Sequence, residues 1–123
     1  MATPLNTFKT VTAIVTTEEE IIYTAPPGNT GIVLMAQVAN ISDASAITTF
    51  SHFRSQTNTD TELVKDFIVP GKDAASLITG KLIVEQGDSL KIIGYPTNFD
   101  PNSPDPQPTV FKLTLSVLES LNA

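Results

Sequence analysis

The sequence has no cysteine, no tryptophan, two tyrosines and one histidine in 123 residues. Without cysteine there is no disulfide framework and no thiolate site, and nothing marks a redox compartment. Without tryptophan, the aromatic platform of a sugar-binding sandwich is poorly supplied. Charge is also scarce, at 16% of residues against an ordinary quarter, which suggests that part of the surface is covered by neighbours. The 7 basic residues are scattered among 13 acidic ones, for a net charge of −6. That balance argues against a nucleic-acid groove, where Lys and Arg must cluster on phosphates. No apolar run approaches the roughly 20 residues that cross a bilayer. The opening Met1-Ala-Thr-Pro-Leu-Asn-Thr7 lacks the basic and apolar regions of a signal peptide. A product made and kept in a cytosol, or released from it by lysis, is expected.

What is present is β-forming sequence. Gly31-Ile-Val-Leu-Met-Ala-Gln-Val-Ala-Asn-Ile41 runs eleven residues with no charge and no proline, an extended length of roughly 36 Å. With period two, Ile32, Leu34, Ala36, Val38 and Asn40 share one face and Val33, Met35, Gln37, Ala39 and Ile41 the other. Both are largely apolar, so the strand is expected to be covered on both sides over much of its length. Its β-branched residues, and the turn residues Pro26–Asn29 before and Ser42-Asp43 after, favour strand over helix.

The rest of the chain repeats that grammar. Phe8–Val15 and Ile21–Thr24 read as strands around the acidic turn Glu18-Glu19-Glu20. Ile47–Arg54 and Thr61–Val69 read as a hairpin across Gln56–Asp60, ending at Pro70-Gly71. Asp73–Leu77 could form one turn of helix. Ser76–Val84 is a strand with a bulge or bend at Gly80. Glu85–Asp88 turns into a strand at Ser89–Gly94. Tyr95–Pro108 holds five prolines in fourteen residues and is expected to project as a loop. Thr109–Leu118 alternates, with Phe111, Leu113, Leu115 and Val117 on one face and Val110, Lys112, Thr114 and Ser116 on the other. About eight short strands without an amphipathic helix indicate an all-β fold. It is a single antiparallel β-sandwich or jelly-roll-like domain over residues 1–123, with residues 1–7 as an extended arm.

Chemistry is thinly represented. Gly87-Asp88-Ser89-Leu90 spells the signature of a serine hydrolase family. Its serine needs a histidine base from near the C-terminus, yet His52 lies upstream and no Asp-x-x-His follows. A turn at Gly87-Asp88 followed by a strand is the plainer reading. His52, alone between Phe50 and Arg54, is expected to be a structural or interface residue rather than a metal ligand. Asn98, Asp100, Asn102 and Asp105 offer oxygens to Ca²⁺ but do not match a calcium loop of about twelve residues. Asn40-Ile41-Ser42 is a formal glycosylation sequon that has no meaning without secretion. No catalytic group, metal or cofactor is expected.

Taken together, Tyr23–Gly28, Gln37–Asn40, Thr49–His52, Glu62–Lys65, Ile68–Gly71, Gly80–Leu82, Glu85–Leu90 and Leu115–Glu119 resemble small virion structural proteins of tailed bacteriophages, notably marine phages and cyanophages. The resemblance covers nearly the whole chain. It implies a non-enzymatic β-sandwich carried on a virion assembled in the host cytoplasm. Such a protein would be a head decoration (cement) protein, or else a neck, tail or fibre component. Its implied partners are other virion proteins, the major capsid protein foremost, and further copies of itself, a trimer being the expected closed form. Neither nucleic acid nor membrane is implied. The Pro-rich insertion Pro96–Pro108 is longer than this type of protein leads one to expect. Val33, Met35, Ile47 and Phe53 are the candidate outward contact residues, with Leu5 on the arm and Tyr95 and Phe99 at the loop. A carbohydrate-binding β-sandwich is the rival from another class.

Overall fold

Alternating apolar side chains and closely spaced turns leave this chain one economical way to hide its core, which is to stack two sheets face to face. The computed structural model describes residues 6–102 and 110–122. Its strands are β1 (Asn6–Val15), β2 (Glu20–Thr24), β3 (Asn29–Asn40), β4 (Ala46–Arg54), β5 (Thr59–Val69), β6 (Ala74–Ser76), β7 (Leu82–Val84), β8 (Ser89–Pro96) and β9 (Phe111–Leu121). One sheet has the order β1-β9-β3-β6, with β7 also on β3; the other has the order β2-β8-β4-β5. All pairings are antiparallel. The chain crosses repeatedly between the sheets, so strands adjacent in sequence mostly lie in opposite layers. That wrapping is a jelly roll.

The core lies between the layers. Phe111, Leu113, Leu115 and Val117 of β9 meet Phe50 of β4 and Leu90 and Ile92 of β8, all buried. Each such side chain contributes about 1.5–3 kcal/mol by leaving water, whereas an exposed ion pair contributes about 0–1 kcal/mol. The inner faces therefore hold the sandwich together. Two glycines allow the closest approaches. A Cβ on Gly94 would sit 2.6 Å from the Phe111 ring, and one on Gly31 would sit 2.6 Å from the Tyr23 hydroxyl.

The inward row of β9 is the one its alternation predicts, but Val110 is buried as well, where its carbonyl accepts a hydrogen bond from Ile41 N–H at 2.8 Å. β3 departs from its predicted pattern. Its register against β9 slips between Val33 and Met35, so Leu34 and Met35 both face outward, while Val33 is fully buried. An extra residue shifts every later side chain to the other face. Before the slip Gly31 and Val33 point inward; after it, Ala36, Val38 and Asn40 do. Val33 is thus a core residue, not an outward one. Nor is β3 covered on both sides, because Leu34 and Met35 remain 38% and 37% exposed.

Three local expectations also change. Ala74–Ser76 is a strand paired with Gln37–Ala39, not a turn of helix. Ser76–Val84 is not one strand: the chain turns at Gly80, with φ +74°, and only Leu82–Val84 rejoins β3. β8 continues through Tyr95 and Pro96, which lie opposite Ile47 and Ala46, so the loop starts later than the prolines suggest. Pro96 fits because it is the last residue of its strand. Asn6 and Thr7 belong to β1, while Leu5, the remainder of the arm and residues 103–109 lie outside the described residues.

Candidate interaction surface

The outer face of the β1-β9-β3 sheet carries an apolar row. Phe8 of β1 lies opposite Leu118 of β9, Leu118 opposite Ile32 of β3, and Ile32 opposite Ile83 of β7. Directly opposed residues stand on the same face of a sheet, so these four form a band roughly 15 Å across the strands. Phe8 is 76% and Ile83 51% exposed. Leu34 and Met35, pushed outward by the bulge, lie on this same face.

The outer face of the second sheet carries another row. Ile68 of β5 lies opposite Ile47 of β4, which lies opposite Tyr95 of β8. The Phe99 ring leans on Tyr95 with centroids 5.2 Å apart. Farther along, Lys91 sits 4.7 Å over the Phe53 ring and reaches Asp60 at 3.1 Å. The fold thus gathers Ile47, Tyr95 and Phe99 into one cluster, with Phe53 elsewhere on that face. Met35 stands on the opposite side of the molecule.

Sequence reasoning missed Phe8, Ile32, Ile83, Leu118 and Ile68. For Phe8 a signal was available: Val11, Ala13 and Val15 share one face of β1, which leaves Phe8 and Ile14 on the other. For the remaining residues, exposure depends on the cross-strand register.

The buried polar groups serve structure. Asp88 is 1% exposed. Its Oδ1 accepts from Ser55 N–H at 2.9 Å and from the Ser55 hydroxyl at 3.1 Å, tying the β4–β5 turn to the start of β8. Its Oδ2 is 2.8 Å from Arg54 Nε and 3.8 Å from His52 Nε2. Burial lowers the pKa of His52; the negative charges of Asp88 and Glu85 oppose that shift, and Arg54 adds to it. The Ser89 hydroxyl shares a 2.8 Å hydrogen bond with Thr24, and Ser89 is 5% exposed. At the same end of the molecule, with Tyr23 opposite Leu90, the Tyr23 hydroxyl donates to buried Glu119 of the facing sheet at 2.7 Å, and Lys9 Nζ approaches the same carboxylate at 3.0 Å. Burial first, then the hydrogen bond and charge of Glu119, raise the Tyr23 pKa far above its ordinary value. No group of three or more His, Asp or Glu able to hold a metal lies among the described residues. Asp100 caps its own loop by accepting from Asn102 N–H at 3.0 Å. Between β5 and the β6–β7 edge opens a cleft of about 420 Å³, lined by Leu63, Val64, Phe67, Leu77, Ile78 and Leu82 among others.

A chain of the T13 IBDV viral particle superposes on this protein with a TM-score of 0.55 at 7% identity, over 97% of this chain and 32% of that one. This chain shares its fold with a viral particle protein. It spans about a third of that protein's length, and at this identity the likeness is one of fold alone. A Bacillus endospore appendage protein, from a family of disulfide-linked pili, aligns at a TM-score of 0.41 and 11% identity, over 96% of this chain and 88% of that one. That score is too low to argue from. No family model matches the sequence, and no curated protein matches it.

Proposed function

We propose that this chain is a non-enzymatic virion structural protein, most specifically a head decoration protein that stabilises a capsid by pressing its outer faces against neighbouring proteins. The observation that carries this reading is the pair of apolar rows, Phe8–Leu118–Ile32–Ile83 and Ile68–Ile47–Tyr95, on opposite outer faces of one sandwich. Contiguous exposed apolar patches are the mark of contact surfaces. A block with one such patch on each side can bridge two neighbours, each contact needing about 800 Å² per partner. The fold shared with a viral particle chain supports this, as does the sequence's resemblance to phage virion proteins. The major capsid protein is the partner this reading names. The Ser89 hydroxyl, occupied by Thr24, gives no support to hydrolysis.

The test is stoichiometry. Quantitative gels of purified particles from the lysate in which the protein is made should show hundreds of copies per particle. A dozen or fewer would place it in a neck, tail or fibre, and its absence from particles would overturn the proposal. The Tyr95–Phe99 pair, on a jelly roll of the kind lectins also use, supports the carbohydrate reading as the second choice. Glycan binding that disappears in Tyr95→Ala would favour it.

A further inference from the structure

β1 is the edge strand of its sheet: among the described residues it pairs only with β9. Edges of natural sheets are usually blunted by charge, proline, bulges or shortness. The other long edge, β5, follows that rule, with Asp60, Glu62, Lys65 and Asp66 and a left-handed φ of 50° at Asp66. β1 does not. It runs ten residues, Asn-Thr-Phe-Lys-Thr-Val-Thr-Ala-Ile-Val, in unbroken register with β9 and without proline or glycine. Its single charge, Lys9, is directed to Glu119. Phe8 and Ile14 are 76% and 58% exposed on its outer face, and a hollow borders Thr12–Ile14 and Lys112–Thr114.

We infer that the free edge of β1 pairs antiparallel with β1 of a second copy about a two-fold axis at Val11, joining two five-stranded sheets into one. A second copy fits because the strand is self-complementary in one register. A two-fold perpendicular to the sheet keeps outer residues opposite outer residues, so paired residue numbers must sum to an even value. Centring on Lys9 sets like charges opposite each other. Centring on Thr10 leaves Phe8 opposite Thr12, and centring on Thr12 leaves Ile14 opposite Thr10. Centring on Val11 places Phe8 opposite Ile14 twice, Thr10 opposite Thr12, and Lys9 opposite the small Ala13. Aromatic–β-branched and Thr–Thr pairs are favourable cross-strand neighbours. No carboxylate lies on β1 to repel its copy, which matters in a chain of net charge −6. The apolar row on the outer face then continues across the junction. This assembly is two-fold, unlike the trimer implied by the resemblance, and it does not depend on the virion role, because solution mass tests one and particle stoichiometry the other.

Because the chain has no cysteine, cross-linking tests the register directly. Within one chain, positions 8 and 14 are roughly 20 Å apart along β1, too far for an internal disulfide. In the inferred pair they face each other at about 4.5–5.5 Å between Cα atoms. The full-length double variant Phe8→Cys/Ile14→Cys should oxidise to a covalent dimer, and Phe8→Cys/Thr12→Cys should not. Light scattering should give twice the chain mass for the wild type and the single-chain mass for Phe8→Lys/Ile14→Lys. Phe8→Glu/Ile14→Lys should recover the dimer, because each introduced glutamate faces an introduced lysine. A wild type of single-chain or threefold mass, cross-linking through 8 and 12 instead, or a dimer that survives the double lysine variant would overturn the inference.

Discussion

Glu119 is the side chain most at risk in this core, a carboxylate 5% exposed between two sheets. Its burial is tolerable because Tyr23 donates to it and Lys9 lies beside it. The partners are unequal. Lys9 is half exposed, so water can take over much of its role, whereas the Tyr23 hydroxyl bond is buried. Tyr23→Phe should therefore cost about 1–3 kcal/mol and Lys9→Ala no more than about 1 kcal/mol, as read from urea midpoints. If the lysine variant lost more than the phenylalanine variant, this ranking would be wrong. His52 provides a pH-dependent counterpart. Its folded pKa is lowered, mainly by burial, so the unfolded chain takes up the proton first as pH falls. Its contribution is fully present above the ordinary 6.5 and is lost as pH drops toward the lowered folded value. The urea midpoint should fall between pH 7.5 and 5.5, and His52→Asn should flatten that slope.

At the scale of the element, the slip in β3 explains why period-two reading misplaced Val33. The two halves of the strand obey alternation separately, and Leu34 is the surplus residue between them. Deleting Leu34 would bring Val33 and Met35, already opposite Val117 and Ser116, into regular succession without turning either half over. The deletion should fold, with a loss within the about 0.5–3 kcal/mol of ordinary substitutions. Deleting Val38 instead reverses the faces of the remaining residues and should abolish cooperative unfolding in circular dichroism. Strand identity along most of the chain was legible because β-branched residues and Gly/Pro/Asp turns repeat at short spacing. β6 was not, and β7 was legible only as the end of a longer strand, since three-residue strands carry too little periodicity to be set apart and both depend on the edge that β3 offers.

For the whole molecule, two outer faces rather than a pocket are the distinguishing feature. Of the candidate contact residues, Ile47, Tyr95 and Phe99 converge, Phe53 and Met35 are dispersed, and Val33 is in the core. The cluster is at the surface, so changing it should separate binding from folding. Ile68→Ser, at a position 58% exposed, should leave the unfolding midpoint within about 0.5 kcal/mol while lowering the number of copies retained on particles after a high-salt wash. Equal retention of variant and wild type would remove that face from the proposed contact.

The amino-acid sequence alone determined an all-β sandwich, the inward row of β9 and the turns, because each depends on the chemistry of neighbouring residues and on a period of two. Only the tertiary structure decided which apolar residues stay outside. Phe8, Leu118, Ile32 and Ile83 come from four strands distant in sequence, and they become one surface only when pairing and register set them side by side. Register is a non-local choice made by the packed core, and a one-residue slip that alternation cannot foresee is enough to exchange inside for outside.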